Sequence, residues 1–160
     1  MDAGDQLEEK FSNVYNKFKL HFYQEIFSRF QSREASLTAV ETFAMEAIYA
    51  LGTPTVHEFA SFMRISSSNA AYKISSLIKK GYVEKVKSET DGREFHLRPT
   101  EKYLDYYNIS TSYVRKVMER IRHRFPPEDI ERLVQILAIM SDELMPVVEG
   151  VPGKQAPSEA

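Results

Sequence analysis

Around Gly81 the spacing of apolar residues switches from helical to alternating, and that switch constrains the fold more than any other feature of the chain. Before it, apolar residues recur every three or four positions in successive blocks, the period of helix faces. After it, Tyr82 to Val86 and Glu94 to Arg98 alternate as two strands do, joined by a turn centred on Asp91 and Gly92. Val83, set against Leu97, and Phe95 are the residues expected to point inward. The expected class is therefore mostly α with one small β-hairpin.

The helical blocks are well punctuated. From about Asp5 to Gln31, Leu7, Phe11, Val14, Tyr15, Phe18, Phe22, Ile26 and Phe30 share one helical face. Tyr23 and Phe27 widen that stripe beyond what a lone surface helix needs, so this helix is either deeply buried or packed on a second copy of the chain. After a break at Gln31 to Ser36, Thr38 stands three residues before Glu41, a capping-box pattern ahead of Phe43, Ala44, Ala47, Ile48 and Leu51. This second helix ends near Gly52. Thr55 and Glu58 repeat the pattern for a short third helix, and Ser66 caps a fourth, with Ile74, Leu77 and Ile78 on its buried face and Gly81 at its C-terminal end. Beyond the hairpin, Pro99 and Thr100 open a helical stretch from Glu101 to roughly Arg124, with Thr100 as its cap. Pro126 and Pro127 break it, and a last helix carries Ile130, Leu133, Val134, Leu137, Ile139, Met140 and Leu144. The polar tail from Gly150 to Ala160 is expected to be disordered, and no internal repeat is present.

With 160 residues, 42% hydrophobic and 28% charged, the chain has the make-up of one soluble domain. Cysteine is absent, which rules out disulfides, thiolate metal sites and a thiol redox trigger, and fits a reducing compartment. No apolar run approaches the roughly 20 residues of a membrane span, and the amino-terminal MDAGDQLEEK is acidic where a secretory signal would be basic; a cytoplasmic location is expected. The net charge of -2 is unevenly placed. From Arg64 to Lys102 nine Lys or Arg stand against five Asp or Glu, about +4, which leaves about -6 for the remainder.

Three helices, two of them short, followed at once by a hairpin form the order of a winged helix-turn-helix, in which the last helix enters the DNA major groove and the hairpin lies against the backbone or in a minor groove. The segment RISSSNAAYKISSLIKKGYVEKVKSETDGREFHL resembles the DNA-binding lobe of the MarR transcriptional regulators. The resemblance is carried by Leu77, Gly81, Tyr82 and Val83, then Ser88, then an Asp-x-Arg made of Asp91 and Arg93. It implies a homodimer reading a pseudo-palindrome in double-stranded DNA, more often as a repressor, with Asp91 holding Arg93 by a salt bridge while the arginine reaches a minor groove. It further implies an N-terminal dimerisation helix over residues 1–35, a winged lobe over 36–100 and C-terminal dimerisation helices over 101–149, followed by the tail 150–160, in one compact whole. One departure stands out: where the family continues the second strand as Leu-Thr, two variable residues and Gly, this chain has Pro99, Thr100, Glu101, Lys102 and Tyr103.

The fourth helix supports the same reading from its own residues. With Ile74, Leu77 and Ile78 inward, the opposite face carries Ser68, Asn69, Tyr72, Lys73, Ser76 and Lys79 and no carboxylate, groups that bond bases or neutralise phosphates. Ser67 at its start and Lys87 and Ser88 beside the turn complete the expected DNA contacts. A Ser, Asn and Lys face on its own is most often just solvated; the hairpin behind it is what tips the balance. Phe11, Tyr15, Phe18, Leu133, Leu137, Met140 and Leu144 are expected at the dimer interface. Phe18, Phe22, Phe43 and Tyr49 are candidates to line a cleft for a small apolar or aromatic effector, although an aromatic stripe is more often core. The cluster Arg115, Lys116, Arg120, Arg122 and Arg124 reads equally as a solvated face or as an extension of the positive surface. His21, His57, His96 and His123 are scattered without metal-ligand spacing, and no phosphate loop or nucleophile motif is present, so neither a cofactor nor an enzymatic role is expected. Two rival readings remain at this level: a winged-helix module that binds another protein, and a sensor whose apolar cleft is its main business.

Overall fold

The computed structural model of the protein describes residues 3–31, 36–88 and 92–147. These form seven α-helices and one antiparallel hairpin in the order α1 (Ala3–Gln31), α2 (Ala39–Leu51), α3 (Val56–Met63), α4 (Ser67–Lys79), β1 (Val83–Lys87), β2 (Phe95–Pro99), α5 (Glu101–Tyr106), α6 (Ile109–Arg124) and α7 (Pro127–Ile139). A π-type turn, Met140–Leu144, continues α7. The class is thus mostly α with a two-stranded wing. No helix among the described residues is long and apolar enough to cross a membrane.

Local chemistry accounts for most helix ends. Both expected capping boxes form: the Thr38 amide donates to Glu41 Oε2 at 2.8 Å while the Glu41 amide donates back to Thr38 Oγ1 at 3.3 Å, and Thr55 and Glu58 repeat the exchange at 2.6 and 3.1 Å. Ser66 Oγ accepts from the Asn69 amide at the start of α4. At its other end the Gly81 amide donates to the Ile78 carbonyl and the Tyr82 amide to the Leu77 carbonyl, with Gly81 at φ +79°, the paired bonds of a Schellman turn. That turn swings the chain from α4 directly into β1. Pro127 occupies the first turn of α7, where its missing N–H costs nothing.

The core gathers around α2, α3 and α4. Met45, Ile48, Phe59, Ile74, Leu77 and Leu97 are fully buried, and burial stabilises each such side chain by about 2 kcal/mol over exposure. Tyr103 and Tyr107 belong to the same cluster, so the core of the winged lobe extends past residue 100.

Several expectations change. The stretch from Glu101 to Arg124 is two helices, α5 and α6, with the break at Tyr107 and Asn108; Tyr103 and Tyr107, four residues apart on one face, both enter the core. Thr100 sits at the cap position of α5 but makes no side-chain cap bond; its hydroxyl donates to the Gly81 carbonyl at 2.7 Å, tying the end of the wing to the turn that begins it. In the hairpin, Val83 pairs with Pro99 and Leu97 with Lys85; Val83 and Leu97 are buried as expected, but Phe95 is 43% exposed. Phe95 shares the strand face of Leu97, yet two residues further out it has passed the edge of the core. Ile78 likewise lies at the rim of the buried stripe of α4 and is partly exposed.

Candidate nucleic-acid interface

On α4, Ala70, Ile74 and Leu77 are buried, and the opposite arc carries Ser68, Tyr72, Ser75 and Lys79, all exposed. Tyr72 is 77% exposed, far more than a tyrosine with a packing role would be. Ser67 and Asn69 are exposed on the flanks of that arc, and Lys73 is half-buried beside it. No Asp or Glu occurs anywhere on α4, so nothing on this surface would repel a phosphate. Ser75 is the residue missing from the sequence reading; the spacing Ser68, Tyr72, Ser75, Lys79 follows one helical face and would have found it.

Ser76 behaves differently from its neighbours. Its hydroxyl donates to Glu41 Oε1 at 2.8 Å, so it joins an inward network instead of the outer arc. Lys80 belongs to the same network: its ammonium lies 2.9 and 2.7 Å from the two oxygens of Glu41 and 2.9 Å from the Ser36 carbonyl. Partial burial by itself would raise the Glu41 carboxyl, but the bond from Lys80, the Thr38 amide and the Ser76 hydroxyl together outweigh it and hold the group at about 2. The glutamate that caps α2 therefore also clamps the end of α4. Of the two adjacent lysines, Lys79 offers its charge to solvent while that of Lys80 is already matched.

The wing is stitched to the lobe. The Leu97 amide donates to the Pro54 carbonyl at 2.8 Å, Thr55 bridges His96, and His96 Nδ1 lies 3.1 Å from the Thr53 carbonyl. Across the strands, Arg98 Nε meets Glu84 Oε1 at 2.8 Å on directly paired residues. Near the tip the Ser88 amide donates to the Glu94 carbonyl at 2.9 Å, Lys87 and Arg93 are exposed, and Ser88 is half-buried. Asp91, and with it the expected salt bridge to Arg93, lies outside the described residues.

The remaining candidates fall at the terminal helices. Phe11, Tyr15, Leu137 and Leu144 are exposed, while Phe18, Leu133 and Met140 are half-buried. Helix α7 and the turn after it have no buried residue at all. Phe18 and Phe22 line a cavity of about 200 Å³ between α1 and α6, with Lys19, Ile109, Tyr113 and Val114 as its other walls. Phe43 packs edge-on to Phe22 with ring centroids 6.2 Å apart, but Tyr49 is elsewhere, against Tyr103 at 6.3 Å. The effector-cleft candidates are thus only partly brought together. Among the described residues no cluster of His, Asp and Glu could hold a metal ion.

The MarR family model matches residues 37–95, from the loop before α2 to the first residue of β2. The winged segment is similar to the MarR family. Three solved structures share the fold along nearly the whole chain: a MarR family protein from Bacillus stearothermophilus (TM-score 0.57, 16% identity, covering 90% of this chain and 98% of that one), a mutant MepR from a multidrug-resistant S. aureus isolate (0.56, 14%, 87% and 97%), and Streptococcus pneumoniae FabT in complex with DNA (0.53, 21%, 88% and 96%). No curated protein matches the chain. The MarR-type lobe accordingly accounts for α2 to β2, and the likeness to the solved structures extends the fold to the terminal helices.

Proposed function

We propose that this protein is a sequence-specific regulator of transcription that binds double-stranded DNA as a homodimer, without catalytic activity of its own, in the cytoplasm. The observation that carries this reading is the outer arc of α4: Ser68, Tyr72, Ser75 and Lys79, free of carboxylates, presented by a MarR-family lobe beside a wing bearing Lys87 and Arg93. In such an arrangement α4 enters the major groove and the wing reaches the flanking minor groove. That the same fold occurs in FabT in complex with DNA supports it.

The dimer follows from what the monomer leaves uncovered. Exposed apolar side chains run along the first half of α1 and through α7, and a second copy is the economical cover. Two lobes then read two half-sites about one turn of DNA apart. We read the protein as a repressor by simple occlusion, with the cavity between α1 and α6 as the place for a small apolar or aromatic effector that changes the lobe spacing. The test is to sequence the genomic fragments that the purified protein retains and to follow affinity against salt. An enriched pseudo-palindrome with log affinity falling steeply in log salt is the expected result. Retention without a common sequence, or binding insensitive to salt, points instead to a winged-helix module that binds another protein.

A further inference from the structure

Glu46, on α2, is 7% exposed, and the other polar residues buried to that degree among the described ones, Thr42 and Thr55, carry no charge. Burying a carboxylate costs several kcal/mol unless it is well bonded, so its partners matter. Its Oε1 accepts the phenol of Tyr103, on α5, and the amide of Ile109 at 3.3 Å. Ile109 is the first residue of α6, and Asn108, at the cap position, makes no side-chain cap bond. A helix of 16 residues thus has its first amide capped from another helix, where the helix dipole favours a negative charge. One oxygen joins α2, in the winged lobe, to α5 and α6 at the break where the chain leaves that lobe.

We propose that Glu46 is a positioning residue: by tying α2 to the start of α6 it sets the angle between the winged lobe and the terminal helices, and through that angle the half-site spacing the protein accepts. The inference rests on the reading of the protein as a dimer with paired DNA-binding lobes. The scale is suitable. A tilt of about 10° over about 20 Å, the length of the 13-residue α4, moves its far end by about 3.5 Å, one base-pair step. Tyr103 takes part by donating to the same oxygen.

The experiment uses the full chain and a DNA library of its selected half-sites separated by spacers that differ by single base pairs. The parent is expected to prefer one spacer by roughly tenfold over its neighbours, the cost of a mismatched step in a specific complex. Glu46→Gln retains an acceptor oxygen for Tyr103 and Ile109 and keeps that preference. Glu46→Ala and Tyr103→Phe flatten it to about twofold to threefold while remaining helical and dimeric. A purely structural role would lower affinity for all spacers alike and leave the preference untouched; that result, in a folded variant, overturns the inference. If Glu46→Ala does not fold, Tyr103→Phe decides in the same way. A parent that selects no paired half-sites removes the DNA-binding reading itself and the inference with it, an outcome visible before any variant is made.

Discussion

At the scale of single residues, Lys79 and Lys80 show how neighbours of one chemical type divide. Lys79→Ala is expected to flatten the log–log salt dependence of DNA binding by about 0.9, one phosphate contact, with little change in stability. Lys80→Ala should leave that slope alone and destabilise the fold, because its ammonium is held by Glu41 and the Ser36 carbonyl. Equal slopes for the two variants would undo the assignment of α4's outer arc. Arg93→Ala, at the exposed wing tip, is expected to weaken a selected operator by about tenfold with fold and dimer intact. Glu41 carries a pH prediction. Its folded carboxyl is held at about 2 against an ordinary 4.5, so the charged form is the one the fold prefers. The stability this contributes is complete above about pH 4.5 and is lost as pH falls toward 2. Glu41→Gln should therefore be less stable at neutral pH and lose less of its remaining stability between pH 4.5 and 2, read from urea unfolding at each pH. The sequence placed Glu41 correctly as a capping residue; its second task, clamping Lys80 39 residues away, was not readable because only the folded chain brings the two together.

At the scale of elements, α4 is defined by what occupies its outer arc and by how it ends. Ser75→Glu would put a carboxylate among Tyr72 and Lys79 and should abolish specific DNA binding while the helix content, followed by circular dichroism, stays as it was. Ser76→Ala tests the opposite: loss of its bond to Glu41 lowers stability by about 1 kcal/mol, with operator affinity nearly unchanged. The end of the helix depends on Gly81. A Cβ there would meet Lys102 Cδ only at an ordinary 3.9 Å, so the cost of Gly81→Ala comes from φ +79° and should be about 1 to 2 kcal/mol in a denaturant titration. The capping boxes and the turn at Gly81 were legible because each is written in residues three to five positions apart. The break between α5 and α6 was not, since the local pattern from Glu101 to Arg124 remains helical, and the group that bonds the first amide of α6, Glu46, comes from a distant segment.

At the scale of the whole molecule, the terminal helices leave many apolar side chains exposed, and the proposed dimer would cover them. Leu137, on α7, is 43% exposed and Leu144, in the turn after it, 72%, and neither element has a buried residue. Leu137→Asp combined with Leu144→Asp is expected to shift sedimentation from dimer to monomer and, with it, to cost most of the affinity for paired half-sites; a dimer that survives both charges would remove α7 from the interface. The class of fold, the order from α1 to the wing, the capping boxes of α2 and α3 and the acid-free surface of α4 were all legible in the sequence, because these follow from spacing within one element or one turn. The tertiary structure alone decided that Ser76 turns inward, that Phe95 lies beyond the core, that Lys80 is already paired, and that Glu46 caps a helix 63 residues further along the chain. Each of these depends on which distant groups the packed core brings within hydrogen-bond reach or leaves at its rim, and no local period records that.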